Sequence, residues 1–326
     1  MASSNSYNFT VNRDNLITDA LLYISAIGEG ETPSAAATTE AARILNMLVK
    51  HRATAGMPAW ALKRGFLLPT TEVSSVNTNE HVVVEYVTTT LSADEADAQT
   101  VLSVTDSTGM TAGDQVGIEI DDGTMHWTTI VSVDSSTQIT ITTAIDAAAS
   151  SGSRLYSYTA STDRVQRPLR IINANILEVS GGASWEITIE ERQDYFNLGN
   201  RTTEGTPNRI YYDPRLGSST ASPDDTDEWF GTIFIYPRFN SGDHVIEFTY
   251  QRPFQDFDTS TDSPDFPQEF YLSIVIELAA LLGPKYGVEL KERTALFAEA
   301  KFYRDEALET IYEEGSVFLQ PEDENG

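Results

Sequence analysis

Two apolar-periodic runs near the carboxyl end constrain the fold of this chain more than any other feature. Between Ser263 and Tyr312 the sequence reads Ser-Pro-Asp-Phe-Pro-Gln-Glu-Phe-Tyr, a long apolar run, a Gly283-Pro284 break and a second run. In the first run Leu272, Val275, Ile276, Ala279 and Leu282 recur at three- and four-residue steps, the spacing of one helix face. Leu290, Leu296, Phe297, Ala300, Tyr303, Ala307 and Ile311 do the same in the second. The pattern predicts a helical hairpin. Asp265 is its expected N-cap, and Pro267 suits a first turn because its missing N–H has no helical partner there. Proline cannot continue a helix, so Gly283-Pro284 separates the two. Neither helix can bury its apolar face alone, and each needs partners.

The amino-terminal segment offers them. Asn12 or Asp14 can cap a helix carrying Leu16, Ile17, Ala20, Leu21, Ile24 and Ile27, ended by Gly28-Glu-Gly30. Thr32 or Ser34 can cap a second, running to about Ala55 with Ala37, Ala41, Ile44, Leu45, Leu48 and Val49 on one face. Gly56-Met-Pro58 ends it. First and last segments are expected to meet in one four-helix bundle with the rest of the chain inserted. Trp60–Pro69, irregular, apolar and basic, reads either as a turn beneath the helices, the preferred expectation, or as a contact with another subunit.

The middle of the chain changes to β character. Val82–Val87, Thr100–Val104, Gln115–Ile120, Met125–Val133, Gln138–Thr142 and Arg154–Tyr158 are strand-like, punctuated by turn sequences such as Asp121-Asp122-Gly123. Their spacing near ten residues predicts a small antiparallel sandwich or barrel. Leu169–Val179, Trp185–Ile189, Thr232–Pro237 and Val245–Tyr250 predict a second β region. The expected fold is α+β: a helical bundle formed by the N- and C-terminal helices, and a β-rich middle containing an inserted antiparallel β-sandwich or barrel. The expected parts are 1–70 helical, 71–162 an inserted acidic β domain, 163–260 a second β region, 261–314 the closing hairpin and 315–326 a flexible tail.

Charge narrows the function. The 326 residues carry a net charge of −28, and no Lys or Arg lies between Gly65 and Ser153. Such a surface repels nucleic acid and argues against a sequence-reading DNA-binding module. The acidic, lysine-free insert is expected to project from the helical body into solvent. There is no cysteine, hence no disulfide, thiol nucleophile or thiolate metal site. No run of about 18 apolar residues is present, so no membrane anchor is expected; nor does the start read as a secretory signal.

Chemistry-bearing patterns are sparse. His51, His81, His126 and His244 fall in no metal-ligand spacing, and there is no GxSxG, P-loop or GxGxxG. The acidic run Asp256–Asp265 could gather calcium oxygens, but a solvated loop leading into a helix is the preferred reading. Pairs such as Glu190/Glu191 and Asp224/Asp225 could serve glycoside chemistry only if they faced a sugar. No catalytic residue and no cofactor is expected.

Four stretches carry a resemblance. They are the opening helical pair closing in Ala55-Gly-Met-Pro-Ala-Trp60; Asp194-Tyr-Phe through Gly205-Thr-Pro-Asn-Arg-Ile-Tyr-Tyr-Asp-Pro214; Ile233-Phe-Ile-Tyr-Pro237 with Phe248-Thr-Tyr-Gln-Arg-Pro253; and Asp262–Tyr271 through Leu278–Tyr286. In this order the chain resembles the head-to-tail adaptors of short-tailed bacteriophages, also called tail accessory factors or packaged-DNA stabilisation proteins. The resemblance implies a non-catalytic virion protein, made in the host cytoplasm and placed at the head–tail junction. It implies a twelve-subunit ring that touches the portal protein and tail nozzle or fibre proteins, with DNA passing through its channel. The insert departs from the pattern. Lys285, Lys291, Arg293, Lys301 and Arg304 are the candidate rim toward the portal or a neighbouring subunit, and Val317, Phe318 and Leu319 the candidate docking residues of the tail. The alternatives are a tail-associated carbohydrate-binding protein, resting on Trp127, Tyr156 and Tyr158, or a carboxylate-based cell-wall hydrolase.

Overall fold

A computed structural model describes residues 9–54, 61–214 and 230–309, and the structural statements below concern those residues. The chain is α+β, with most of its regular structure in strands. Helices α1 (Arg13–Tyr23) and α2 (Ala35–Thr54) come first. Strands β1 (Leu62–Leu67), β2 (Ser75–Asn77), β3 (Val82–Val83), β4 (Val87–Thr90) and β5 (Val101–Ser103) follow. Then come β6 (Gln115–Glu119), β7 (Met125–Ser135), β8 (Gln138–Ile141), β9 (Arg154–Tyr158), β10 (Arg170–Glu178), β11 (Ser184–Glu186) and β12 (Thr188–Ile189). A short helix α3 (Arg192–Phe196), strands β13 (Arg209–Asp213), β14 (Thr232–Tyr236) and β15 (His244–Gln251), and helices α4 (Tyr271–Leu282) and α5 (Leu290–Glu309) complete the order. The chain divides into two compact units, Met1–Ala61 with Phe254–Gly326 and Leu62–Pro253.

In the first unit α4 touches α1, α2 and α5. Its residues Ser273 to Ala280 are buried without a break, so it is enclosed on all sides rather than amphipathic. Of the five residues expected on one face by three- and four-residue spacing, Val275, Ile276, Ala279 and Leu282 are buried, whereas Leu272 is 47% exposed. Ile276 and Ala280 pack on Leu296 and Ala300 of α5, with Ile24, Phe297 and Tyr303 at the margin. Asn12 caps α1, accepting from Asn15 N–H at 2.8 Å, and the Asn15 side chain accepts from Asn12 N–H at 3.1 Å. Ser34 Oγ accepts from Ala37 N–H at the start of α2.

The closing hairpin differs from expectation at both turns. The N-cap positions are Pro267 and Phe270 rather than Asp265, whose carboxylate accepts from Gln255 N–H. Pro267 opens a 3-10 turn, Gln268–Phe270, before α4 begins. Gly283-Pro284 likewise leads into a second 3-10 turn, Gly283–Tyr286, ended by Gly287 at φ +78°. Ile311 lies outside the described residues.

The second unit holds three sheets. One has the order β11-β10-β15-β1-β3, another β12-β13-β14-β2. They share one core, in which Leu67, Ile176, Ile246 and Phe248 of the first sheet pack with Val76, Ile210, Ile233 and Ile235 of the second. The residues Trp60–Pro69, expected as a turn in the helical part, contain β1 instead. It lies between β15 and β3, and Phe66 and Leu67 are buried on opposite faces. A strand buried on both faces shows no alternation, which hid it. Gly65 is required within it, since a Cβ there would lie 2.8 Å from the Phe248 ring. The expected boundary at 70 therefore gives way to one between Ala61 and Leu62.

The third sheet is the insert, β4-β9-β6-β7-β8-β5, antiparallel throughout. It curls round until its two edges meet, where Leu91 bridges Val104 and Ser92 N–H and Thr105 N–H donate to Ser103 O and Thr90 O. Leu102, Val104, Val116, Ile118, Ile130, Ile139 and Leu155 fill its interior. At the β6–β7 hairpin Gly123 adopts φ +86°, and Asp122 accepts from Thr124 N–H and Oγ. The short strands β2 and β3, inside the range expected for the insert, pair with β14 and β1 instead.

Candidate functional site

The insert is mounted on the sandwich by a dense junction. Tyr156 and Tyr158 of β9 pack with Phe66, Leu68, Val83 and Val245 of the sandwich sheet and its flanks, and Tyr86, Met125 and Trp127 close the cluster. Leu155 faces the insert's own core while Tyr156 faces the junction, the two-residue alternation of a strand covered on both sides. Polar groups complete the joint. Tyr156 OH donates to Gly242 O at 2.5 Å, Gly242 N–H donates to Glu119 Oε1 at 2.8 Å, and Arg154 lies 3.3 Å from Asp243. Trp127 Nε1–H donates to Pro69 O at 3.2 Å, and Met125 N–H to Thr71 Oγ at 2.8 Å.

At the centre of the joint, His81 stacks on Trp127 with ring centroids 3.9 Å apart. Its Nδ1 lies 3.2 Å from Tyr158 OH. Burial, and then the Arg164 guanidinium, hold the imidazole pKa down at about 4, so it is neutral at ordinary pH. Burial also pushes the phenols of Tyr156 and Tyr158 up. None of Trp127, Tyr156 and Tyr158 is free to stack on a sugar.

The other expected chemical groups serve the fold. In the Asp256–Asp265 run, Asp262 accepts from Asp258 N–H, Thr259 N–H and Thr259 Oγ–H, and these bonds, led by the Thr259 hydroxyl, lower its pKa. Asp256 pairs with Lys50 at 3.1 Å. Glu190 pairs with Arg209 at 3.1 Å; Asp224 and Asp225 lie outside the described residues. His126 Nδ1 lies 3.1 Å from Asp146, His244 rests edge-on to Trp185, and His51 is exposed on α2. Among the described residues no group of three or more His, Cys, Asp or Glu side chains could hold a metal ion.

The candidate basic rim does not form one surface. Lys285 pairs with Glu40 of α2. Arg293 donates to Ala280 O of α4 at 3.3 Å, and Arg304 is half-buried, 3.6 Å from Asp305. Eleven residues of helix, at about 100° each, return Arg304 to the side of Arg293. Lys291 is exposed on the side opposite Arg293, and Lys301 is exposed on the flank between them, about 80° from each. Val317, Phe318 and Leu319 lie outside the described residues. What the sequence did not reveal is the buried pair Arg52–Glu277, with Nε to Oε2 at 2.8 Å, between α2 and α4.

No helix among the described residues is long and apolar enough to cross a membrane. No protein-family model matches the chain, and no curated protein sequence matches it.

Proposed function

We propose that this chain is a non-catalytic structural adaptor of a short-tailed phage virion, joining portal to tail as one subunit of a ring, probed below for twelve copies, through whose channel DNA passes. The observation that supports this reading is the fold's segment order. Helices from both chain ends belong to one compact unit, and every strand lies between them. On this reading the four long helices act as a bundle that forms the ring wall, and Lys291, Lys301 and the Val317–Leu319 tail face the portal or a neighbour. The net charge of −28 suits a channel past which DNA slides, because tight phosphate contacts would hold it back. The decisive experiment mixes the purified chain with portal protein and follows sedimentation and negative-stain images. Rings of about twelve copies on the portal are expected, by the resemblance that motivates the reading. Failure to co-sediment at any salt concentration overturns it.

A further inference from the structure

The outward face of α5 has the composition of a contact rather than of a solvated surface. Phe302 is 58% exposed and Leu290 72% exposed. Ala298, Ala295 and Thr294, four, seven and eight residues before Phe302, are exposed small residues on the Phe302 side, whereas Leu290, twelve residues before it, is rotated about 120° away. The side opposite carries Leu296, Ala300 and Ala307 into the unit's core, so this outward stripe is not needed for folding.

Charge along the stripe is polarised. Lys291 lies at its amino end, and Asp305, Glu306 and Glu309 at its carboxyl end, with no basic residue in the last turn. Carboxylates at a helix carboxyl end oppose the helix dipole, which favours cations there. An antiparallel copy of the same helix reverses that conflict, bringing its amino end and Lys291 beside these carboxylates. About a two-fold axis at Ala298, Lys291 and Asp305 are each seven residues from the centre, and Thr294 and Phe302 each four. Each Phe302 then meets the small residues of the other helix, while Lys291 meets Asp305. Lys301 falls opposite Ala295, at the edge, where its charge stays in water.

We infer that the α5 face binds the α5 face of a second copy of this chain, antiparallel and two-fold symmetric, through Phe302, Ala298 and the Lys291–Asp305 pair. A two-fold contact is self-complementary, as this stripe is. One helix pair about 30 Å long falls at the lower end of specific interface areas, about 1,200 Å² in total or less. The association is accordingly weak and concentration-dependent. A two-fold contact does not repeat around a ring, so the inference concerns the chain free of portal, where α5 holds a second copy that the portal or a ring neighbour would displace on assembly; it is tested on the full chain without any portal.

Sedimentation equilibrium at low salt, up to a few hundred micromolar, should show a monomer–dimer equilibrium. Phe302→Glu should weaken it at least tenfold while circular dichroism and thermal unfolding stay those of the parent. Lys291→Glu and Asp305→Lys should each weaken it, and the double swap should restore it, because each new Glu meets a new Lys across the axis. The chain has no cysteine, so Ala298→Cys supplies a single thiol. Beside a two-fold axis it should oxidise to a disulfide-linked dimer far faster than a thiol placed by Thr39→Cys on α2. A strictly monomeric chain overturns the inference. So does a dimer indifferent to Phe302→Glu, or one in which the double swap binds no better than the single variants.

Discussion

In the insert, the large aromatic side chains Tyr156, Tyr158 and Trp127 all turn into the joint with the sandwich, and its strands expose only Val101 and Val131 as large apolar residues. The helical unit is different. Of the fourteen large apolar residues exposed among the described residues, eight belong to it: Phe9, Leu22, Tyr23, Met47, Leu272, Leu281, Leu290 and Phe302. It is nevertheless the smaller unit. The insert therefore completes its packing within its own chain, whereas the helical unit keeps apolar surface in water after its core is full. Scattered exposed apolar residues are ordinary, but their concentration on one unit marks the side on which association is to be sought.

The strongest way to break this comparison is to empty the joint. Tyr156→Ala removes a fully buried ring together with its hydrogen bond to Gly242, and should cost about 4 kcal/mol. Hydrogen–deuterium exchange locates the damage: amides of β6, β7 and β9 should exchange much faster while those of α1 and α4 keep their protection. Equal deprotection of the helices would show that the joint is not a local device. The corresponding blow to the helical unit is Glu277→Leu. It strands Arg52, whose side chain keeps 22% exposure, so the loss belongs near the lower end for a broken buried pair, about 3 kcal/mol. Helix ellipticity followed through thermal unfolding measures it.

These two sites also mark where sequence reading stops. The strands of the insert were legible because one face meets a core and turns such as Asp121-Asp122-Gly123 separate them. The start of α1 was legible because capping is local, a matter of Asn12 and the residue three places on. By contrast β1 pairs with β15 across more than 180 residues of chain, Leu62 opposite Gln251, and no local signal carries such a partner. Tyr156 gave no sign that its strand is covered twice, so its aromatic ring suggested a ligand platform. The basic residues of the last helix cluster in sequence, yet helical rotation sends Arg293 and Arg304 toward the packed side, Lys291 to the opposite side and Lys301 to the flank between. One-dimensional charge density cannot show that.

Acid should separate the two regions a little less strongly. His81 is neutral in the folded joint with a pKa of about 4, against 6.5 for the free side chain. A folded-state value below the unfolded one means that the unfolded chain takes up the proton first. The stabilising contribution is thus complete above pH 6.5 and drains away as pH falls toward 4. At about 1.4 kcal/mol per pH unit it amounts to about 3 kcal/mol. The Arg164 charge acts on the ring, Tyr158 OH lies 3.2 Å from its Nδ1, and Glu80 acts in turn on the Tyr158 phenol. Exchange in the insert should therefore rise between pH 6.5 and 4 with little change in the helices. In a His81→Phe variant, which keeps a ring on Trp127 but cannot titrate, that pH dependence should flatten. An unaltered profile in the variant would assign the acid response to carboxylates elsewhere.

The gentlest probe is the cap of α1. An eleven-residue helix is marginal by itself, and two separate terms hold it: the capping box of Asn12 and Asn15, and the buried face of Leu16, Ile17, Ala20 and Leu21. Asn12→Ala deletes the first and leaves the second, and should cost about 1 kcal/mol. Asn12→Asp keeps an acceptor for Asn15 N–H and adds a charge suited to the helix amino end, so it should recover most of the loss. Thermal unfolding of the three proteins side by side decides the matter. If Asn12→Ala proves neutral, burial alone fixes α1, and the helical unit then differs from the insert only in where its spare apolar surface points.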